Sequence, residues 1–300
     1  MNRTIAARWS LQMTCLGTLA LALFSCGSTQ DRLDSVELPI ESPGVALVVN
    51  NFRGSVEVRI DPRLASAVVE SSVHADESID SKQREPALNA VNVDAVQTEQ
   101  HGYSIVTVTT TSARAAFNDH RVDLKITLPR CDGLDITNTA GDVVVVDTAG
   151  ATRITNHQGA VEFRSSKPIA EPATITTTDG NIYYQVTPAC SAAFDIETLD
   201  GRVEFKDSTS GAEKVYSTQT VYKAQLNKGT NPVVLRTNRG YIYSWVMEDP
   251  VAFTRVWKGT PADPLDYIHL QGSNRYLRNL PEDHPEVQSD IGSDPLTTWK

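Results

Sequence analysis

The chain is poor in the residue types on which most site chemistry depends. Of 300 residues, four are cysteine and six are histidine. None of His74, His101, His120, His157, His269 and His284 stands at metal-ligand spacing from another histidine or a cysteine. They are expected on the surface or in loops. There is no serine nucleophile elbow, phosphate-cradling glycine loop or Cys-His pair. Basic residues are in deficit, 27 Lys and Arg against 37 Asp and Glu, for a net charge of -10. That balance opposes nucleic acid and anionic lipid surfaces as partners. Long apolar runs are missing as well. The stretch Leu16 to Phe24 falls short of the ~20 residues a spanning helix needs.

That stretch has another meaning. Arg3 and Arg8 precede it, as in an export leader. It runs into Leu23-Phe24-Ser25-Cys26-Gly27, a small residue before a cysteine with leucine three before that cysteine. This resembles the lipobox of bacterial lipoproteins. The resemblance implies cleavage after residue 25, lipid on Cys26, and, because Gly27 rather than aspartate follows, the outer membrane. The lipid would be the link to the membrane. Losing Arg3 and Arg8 with the leader takes the charge from -10 to -12. Residues 26–43, opening with Gly27, Ser28, Thr29 and Gln30, read as a tether ending in an N-terminal cap.

Two cysteines then remain, and an exported protein invites a disulfide. Cys131 lies ten residues before Gly141 and Cys190 eleven before Gly201, nearly the same phase three coils apart. At about 4.8 Å per strand that is roughly 14 Å, whereas a disulfide needs Cα atoms within about 7 Å. The phase opposes the bond.

What the chain does have is a repeat. Seven copies carry an aliphatic residue five before a glycine, Asn, Thr or Ser three before it, and an apolar residue two after it. They centre on Asn51 and Gly54, Asn138 and Gly141, Asn156 and Gly159, Thr177 and Gly180, Thr198 and Gly201, and Thr237 and Gly240. A degenerate copy, Val215 to Tyr222, has Thr220 for glycine. From Gly141 onward the steps are 18, 21, 21, 19 and 20 residues. A fixed period of this length marks a stacked repeat architecture.

Within the copies apolar and polar residues alternate, the period of strands. Ala67–Ala75, Ser104–Thr111 and Arg121–Leu128 alternate likewise, and Asp76–Ala90 reads as a loop or short helix. The 87 residues from Gly54 to Gly141 would hold about four irregular coils. A hairpin meander would need positive φ at Ala140, Gln158, Arg53 and Arg239, which such residues resist. A solenoid needs a special backbone only at the corner glycine. It also stacks the Asn and Thr positions into a hydrogen-bonding ladder. The expected fold is all-β, a single-stranded β-solenoid of about 20-residue coils over residues 44–249. Its core is formed by the residues five before and two after each glycine. Residues 250–300 would be an irregular cap and tail, with Trp257 and Tyr267 as the cap's anchors and the last twenty residues poorly ordered.

Val45-Ala-Leu-Val-Val-Asn-Asn-Phe-Arg-Gly54-Ser-Val-Glu-Val58, and Val122 to Pro129 followed by Leu134 to Val143, carry a family resemblance. Over Val45–Val246 the chain resembles the bacterial "putative adhesin" domain family of unknown function, exported β-solenoid proteins. The resemblance implies the fold and names no ligand.

Candidate sites are few. Asp179 and Asp200 share a phase on consecutive copies, where stacked carboxylates could bridge calcium or simply serve turn chemistry. The corners at Gln158 and Ala140 end that column. Tyr183 and Tyr243 share the outward phase three after the glycine, with Tyr241 beside them and Glu204 and Lys223 intervening. Such aromatics suit either a sugar platform or strand propensity alone. A polysaccharide-cleaving β-helix protein is the enzymatic alternative. Glu162 and Glu204, two copies apart at roughly 10 Å, approach the separation of an inverting pair, with Arg202, Arg236 and Arg239 as the basic groups. Coils this short leave little loop to build a cleft. The reading is therefore a lipid-anchored, exported, non-catalytic solenoid acting as adhesin, scaffold or binding module. It needs no cofactor or nucleic acid, and its ligand is a glycan or an envelope protein.

Overall fold

The computed structural model describes residues 31–76, 78–114 and 119–251. The leader, Cys26, the start of the tether, Trp257, Tyr267, His269, His284 and the tail lie outside the described residues. The described chain is nearly all strand. β1 (Arg32–Pro39), β2 (Gly44–Asn51), β3 (Val56–Ile60) and β4 (Ser66–Ala75) lead to one helix, α1 (Ser81–Asn89). β5 (Val91–Gln100), β6 (Tyr103–Ser112) and β7 (His120–Leu128) follow. The regular part is β8 (Gly133–Ala140), β9 (Val143–Val146), β10 (Ala151–Gln158), β11 (Val161–Ser165), β12 (Ala173–Asp179) and β13 (Ile182–Val186). β14 (Ala192–Asp207), β15 (Ala212–Ser217), β16 (Val221–Leu226) and β17 (Asn231–Val246) complete it.

Each coil is a strand, a corner at the repeat glycine, and a second strand. Successive coils pair in parallel without slip: Ile154 faces Ile136 on one side and Ile175 on the other. Parallel pairing at fixed register is what a solenoid produces and a meander cannot. The long strands β14 and β17 bend through the corner at Gly201 and Gly240, so each supplies both strands of its coil. The core residues are those expected. Val49, Val56, Ile136, Val143, Ile154, Val161, Ile175, Ile182, Ile196, Leu235 and Ile242 are all fully buried. Burying each such side chain contributes about 1.5–3 kcal/mol. Toward the C-terminal end the core turns aromatic, with Phe163 stacked on Tyr184 at 5.1 Å and Phe194 edge-on to Phe205 at 5.1 Å.

The corner explains the glycine. A Cβ on Gly141 would sit 2.1 Å from the carbonyl oxygen of Gly54, and one on Gly180 1.9 Å from that of Gly159. Each glycine lets the neighbouring coil's backbone approach where no side chain fits. The Asn and Thr side chains bind the same carbonyls. Asn156 Nδ2 donates to Gly141 O at 3.0 Å and Gly159 O at 2.9 Å, and Thr237 Oγ1 donates to Gly180 O at 2.9 Å. Asn51, Asn138, Thr177 and Thr198 do likewise. The ladder has one more rung than the repeat shows, Thr110, whose Oγ1 donates to Asn51 Oδ1 at 2.6 Å.

Four expectations are corrected. Coils do not stack in sequence order: β6 and β7 lie outside β2 and β3, and β17 is inserted between the β12–β13 coil and β14. The degenerate copy is no coil. Val215 is 69 % exposed, and β15 and β16 form an antiparallel hairpin that covers the edge of β14. Its turn bonds the β14 corner, with Thr198 N donating to Thr220 O and Val203 N to Gln219 O, both at 2.9 Å. The 87 residues between Gly54 and Gly141 hold one coil, because β4, α1 and β5 are spent on an excursion. Part of the expected tether is a strand, β1, antiparallel to β4. Antiparallel strands thus close the outer coils, β5 on β6, β4 on β7 and β16 on β14, which limits open sheet edges. The two cysteines are free and separately buried.

Candidate functional site

Two surfaces carry the side chains singled out above. The first is the line of corners. A shallow groove of about 510 Å³ runs along it, lined by Asp142, Asp179, Asn181, Asp200, Arg239 and Tyr241 among others. The stacking order decides its chemistry. Asp179 and Asp200 are not on adjacent coils: Arg239 is in register with both and lies between them. Its Nη2 meets Asp179 Oδ2 at 2.7 Å. The two carboxylates are two strand spacings apart, about 10 Å, too far to share one calcium ion through oxygens at 2.3–2.6 Å. Asp142 accepts from Ala160 N at 2.8 Å and Asn181 Oδ1 from Tyr241 N at 2.8 Å. The groove is a corner whose polar groups largely bond one another. Among the described residues no cluster of three or more His, Cys, Asp or Glu could hold a metal ion.

The second surface is the outward face of the strands after the corner. The column three after the glycine reads Glu57, Val144, Glu162, Tyr183, Tyr243 and Glu204 in stacking order. The same insertion of β17 that separates the aspartates brings the tyrosines together. Tyr183 and Tyr243 are register partners with ring centroids 6.4 Å apart, and neither Glu204 nor Lys223 intervenes. Trp245 adds an edge-on contact at 6.1 Å to Tyr243. Lys206 Nζ lies 5.4 Å from the Tyr243 ring and 5.7 Å from Trp245, and pairs with Glu204 at 3.2 Å. Asn181 Nδ2 donates to Tyr183 Oη at 3.2 Å. Tyr241, at the corner, is 56 % exposed. Trp245 and Lys206 are additions that the sequence reading lacks. Both lie five after a repeat glycine, and the period of two that places Tyr243 outward places them outward too.

The enzymatic pair is not assembled. Glu162 and Glu204 are three strands apart, with Tyr183 and Tyr243 between them, roughly 14 Å. Glu162 is fully buried and meets Arg164 Nε at 2.5 Å. Arg236 binds Asp195 Oδ2 at 2.6 Å and Arg239 binds Asp179, so neither joins a shared cleft. Among the histidines, His101 and His157 are exposed as expected. His120 is not. It is 1 % exposed, packed edge-on against Phe52 at 5.4 Å, and burial holds its pKa below the usual imidazole value. The thiol of Cys131 is pushed up to about 12 by burial, and Cys190 also upward, so both are inert thiols. Among the described residues no helix is long and apolar enough to cross a membrane.

Comparison with known proteins gives a family model, Toastrack DUF4097, that matches residues 36–242. No curated protein matches the chain. Of solved structures, a putative cell adhesion protein from Clostridium sporogenes is 12 % identical, covering 73 % of this chain and 100 % of its own, with a TM-score of 0.49. A putative adhesin from Bacteroides fragilis is 7 % identical, covering 71 % and 97 %, with a TM-score of 0.28. A putative lipid binding protein from Parabacteroides distasonis is 8 % identical, covering 70 % and 96 %, with a TM-score of 0.23.

Proposed function

The chain belongs to the Toastrack DUF4097 family, a domain family of unknown function, and from that premise we propose that it is a non-catalytic, adhesin-like binding module of the cell envelope. The ligand face is the aromatic strip of Tyr183, Tyr243 and Trp245, and the ligand is a glycan. One observation carries this reading: β13 and β17 pair directly and set two tyrosines side by side on an outward face, with Trp245 and Lys206 at their rim. Aromatic faces pack against the apolar C–H faces of sugar rings, and a lysine and a glutamate at the edge offer hydrogen bonds to hydroxyls. The run Leu23 to Gly27 supports anchoring through lipid on Cys26, in the outer membrane. The burial of Glu162 against Arg164 and its distance from Glu204 support a non-catalytic role.

The test is a glycan array probed with residues 28–300, followed by titration of any glycan retained. A saturable glycan that loses at least tenfold in affinity, about 1.4 kcal/mol, with Tyr183→Ala and with Trp245→Ala is the expected result. A glycan bound equally well by both variants would move the site elsewhere. Absence of any bound glycan, with envelope proteins retained instead, would make the module a scaffold.

A further inference from the structure

The ends of the stack and its middle differ in what they leave in water. Among the described residues, the large apolar side chains that are exposed sit on β1, β5 and β6 at one end and on β14, β15 and β17 at the other. The coils between, β2–β3 and β8 to β13, expose none. Single exposed apolar residues scattered over a surface need no explanation. Their confinement to two opposite ends is the pattern of contact surfaces.

Each end also keeps an open edge. Among the described residues β1 pairs with β4 alone and β15 with β16 alone. β1 is eight residues long and in unbroken register with β4, so its free edge presents an unblunted row of backbone donors and acceptors. Leu33 on it is 73 % exposed. Val36 lies opposite the buried Val69, so part of the core side of β1 also faces water. β15 carries a bulge between Lys214 and Tyr216, with Val215 and Tyr216 exposed.

The two ends differ in charge. β1 and β5 carry Asp34, Glu37, Asp94 and Glu99 against Arg32. The β15–β16 hairpin and the turn after it carry Lys214, Lys223 and Lys228 against Glu213, a basic element in a chain of net charge -10. Glu37, Lys214 and Lys228 are all exposed. Like ends therefore repel and unlike ends attract. The bulge acts in the same direction, because two bulged β15 edges cannot pair in continuous register.

We infer that the chain associates with a second copy head to tail. The basic β15–β16 hairpin of one copy docks on the acidic β1–β5 end of the next and extends the sheet from the open edge of β1. Strand addition at an open edge supplies backbone hydrogen bonds, and the exposed apolar side chains of both ends are covered in the same contact. The two surfaces differ, so the contact is heterologous, and its repetition gives a ring or a filament. It does not use Tyr183, Tyr243 or Trp245, so it holds whatever the aromatic strip binds.

The test is sedimentation velocity on the full chain from about 1 μM to about 1 mM. Association that grows with concentration is expected. It should weaken between about 0.01 M and about 1 M salt, as the screening length falls from roughly 30 Å to roughly 3 Å. Glu37→Lys and Lys214→Glu should each weaken it about tenfold when alone. An equimolar mixture of the two variants should recover it, since each copy then offers the other a complementary end. Unchanged circular dichroism separates a lost contact from a lost fold. A chain that stays monomeric across the range would overturn the assignment. So would a loss confined to one of the two variants, which makes the contact isologous, or a mixture that fails to recover association.

Discussion

At one end of the stack the coil of β6 and β7 lies outside the earlier coil of β2 and β3; at the other, the coil of β14 lies outside the later coil of β17. Between, coils follow sequence order. Both ends use one device. A short loop skips a slot, residues 129–132 after β7 and 187–191 after β13, and each loop carries one of the buried cysteines. An excursion, β4 to β5 at one end and β15 to β16 at the other, accompanies the skip and supplies antiparallel strands for the exposed edges. The last coil in sequence is thereby held between two parallel neighbours instead of fraying at a terminus. The middle is held by repetition and the ends by topology.

The largest expected effects break the middle. Gly141→Ala places a Cβ 2.1 Å from a backbone oxygen that cannot move without its whole coil, so a loss above about 4 kcal/mol in urea unfolding is expected. Gly102→Ala is the contrast. Its φ is +80° but nothing lies within 4 Å, so only the backbone strain of about 1–3 kcal/mol remains. Equal losses would show that strain, not stacking, selects the glycines. Ile196→Asp and Val215→Asp compare a true copy with the false one. The first buries an unpaired charge and is expected to abolish folding, while the second, on an exposed residue of the β15–β16 hairpin, should stay within about 0.5 kcal/mol. An unchanged melt for Ile196→Asp would remove it from the core.

The repeat makes the coil legible because each coil obeys the same local demands. Glycine admits a neighbour's carbonyl, Asn or Thr binds it, and the apolar pair fills the interior. Those demands are identical for every neighbour, so they leave the order of coils unspecified. Leu235 fits against Ile175 and Ile196 as well as Ile196 would have fitted against Ile175. For that reason sequence spacing pairs the candidate sites wrongly, Asp179 with Asp200 and Glu162 two coils from Glu204, while it separates Tyr183 and Tyr243, which meet in the fold. Val215 to Tyr222 mimics a copy because its Tyr222 does face inward, stacking 4.6 Å from Phe205, but from a hairpin. Thr110 is hidden in the sequence because its corner has no glycine, and the strand β5 because its alternation is weak on an edge.

The two ends differ in one respect that pH should reveal. His120 at the N-terminal end is buried, and among the described residues neither ring nitrogen has a hydrogen-bond partner. Burial, partly offset by Asp119, lowers its folded pKa below the 6.5 of an unhindered imidazole. The unfolded chain then binds the proton first, so stability is lost as pH falls through 6.5 and continues to fall until the folded pKa is reached. Melting temperature should drop between about pH 7.5 and 5, and His120→Phe, which keeps a ring against Phe52, should flatten that drop. An undiminished drop in the variant would assign the acid sensitivity to carboxylates instead.

The smallest expected effect sharpens the corner groove. Arg239 and Asp179 pair with side chains 65 % and 43 % exposed, and pairs of this kind contribute at most about 1 kcal/mol. The substitution Arg239→Asp does more than remove the pair. It puts a third carboxylate between those of Asp179 and Asp200, in steps of about 4.8 Å, close enough for neighbours to share a cation. Like-charge repulsion should lower the melting temperature slightly in low salt, and millimolar calcium should restore it in the variant alone. The native chain should melt at the same temperature with and without calcium, because the guanidinium occupies the position between the two aspartates. Stabilisation of the native chain by calcium would place a cation at a corner that the register assigns to arginine, and would reopen the order of the last two coils.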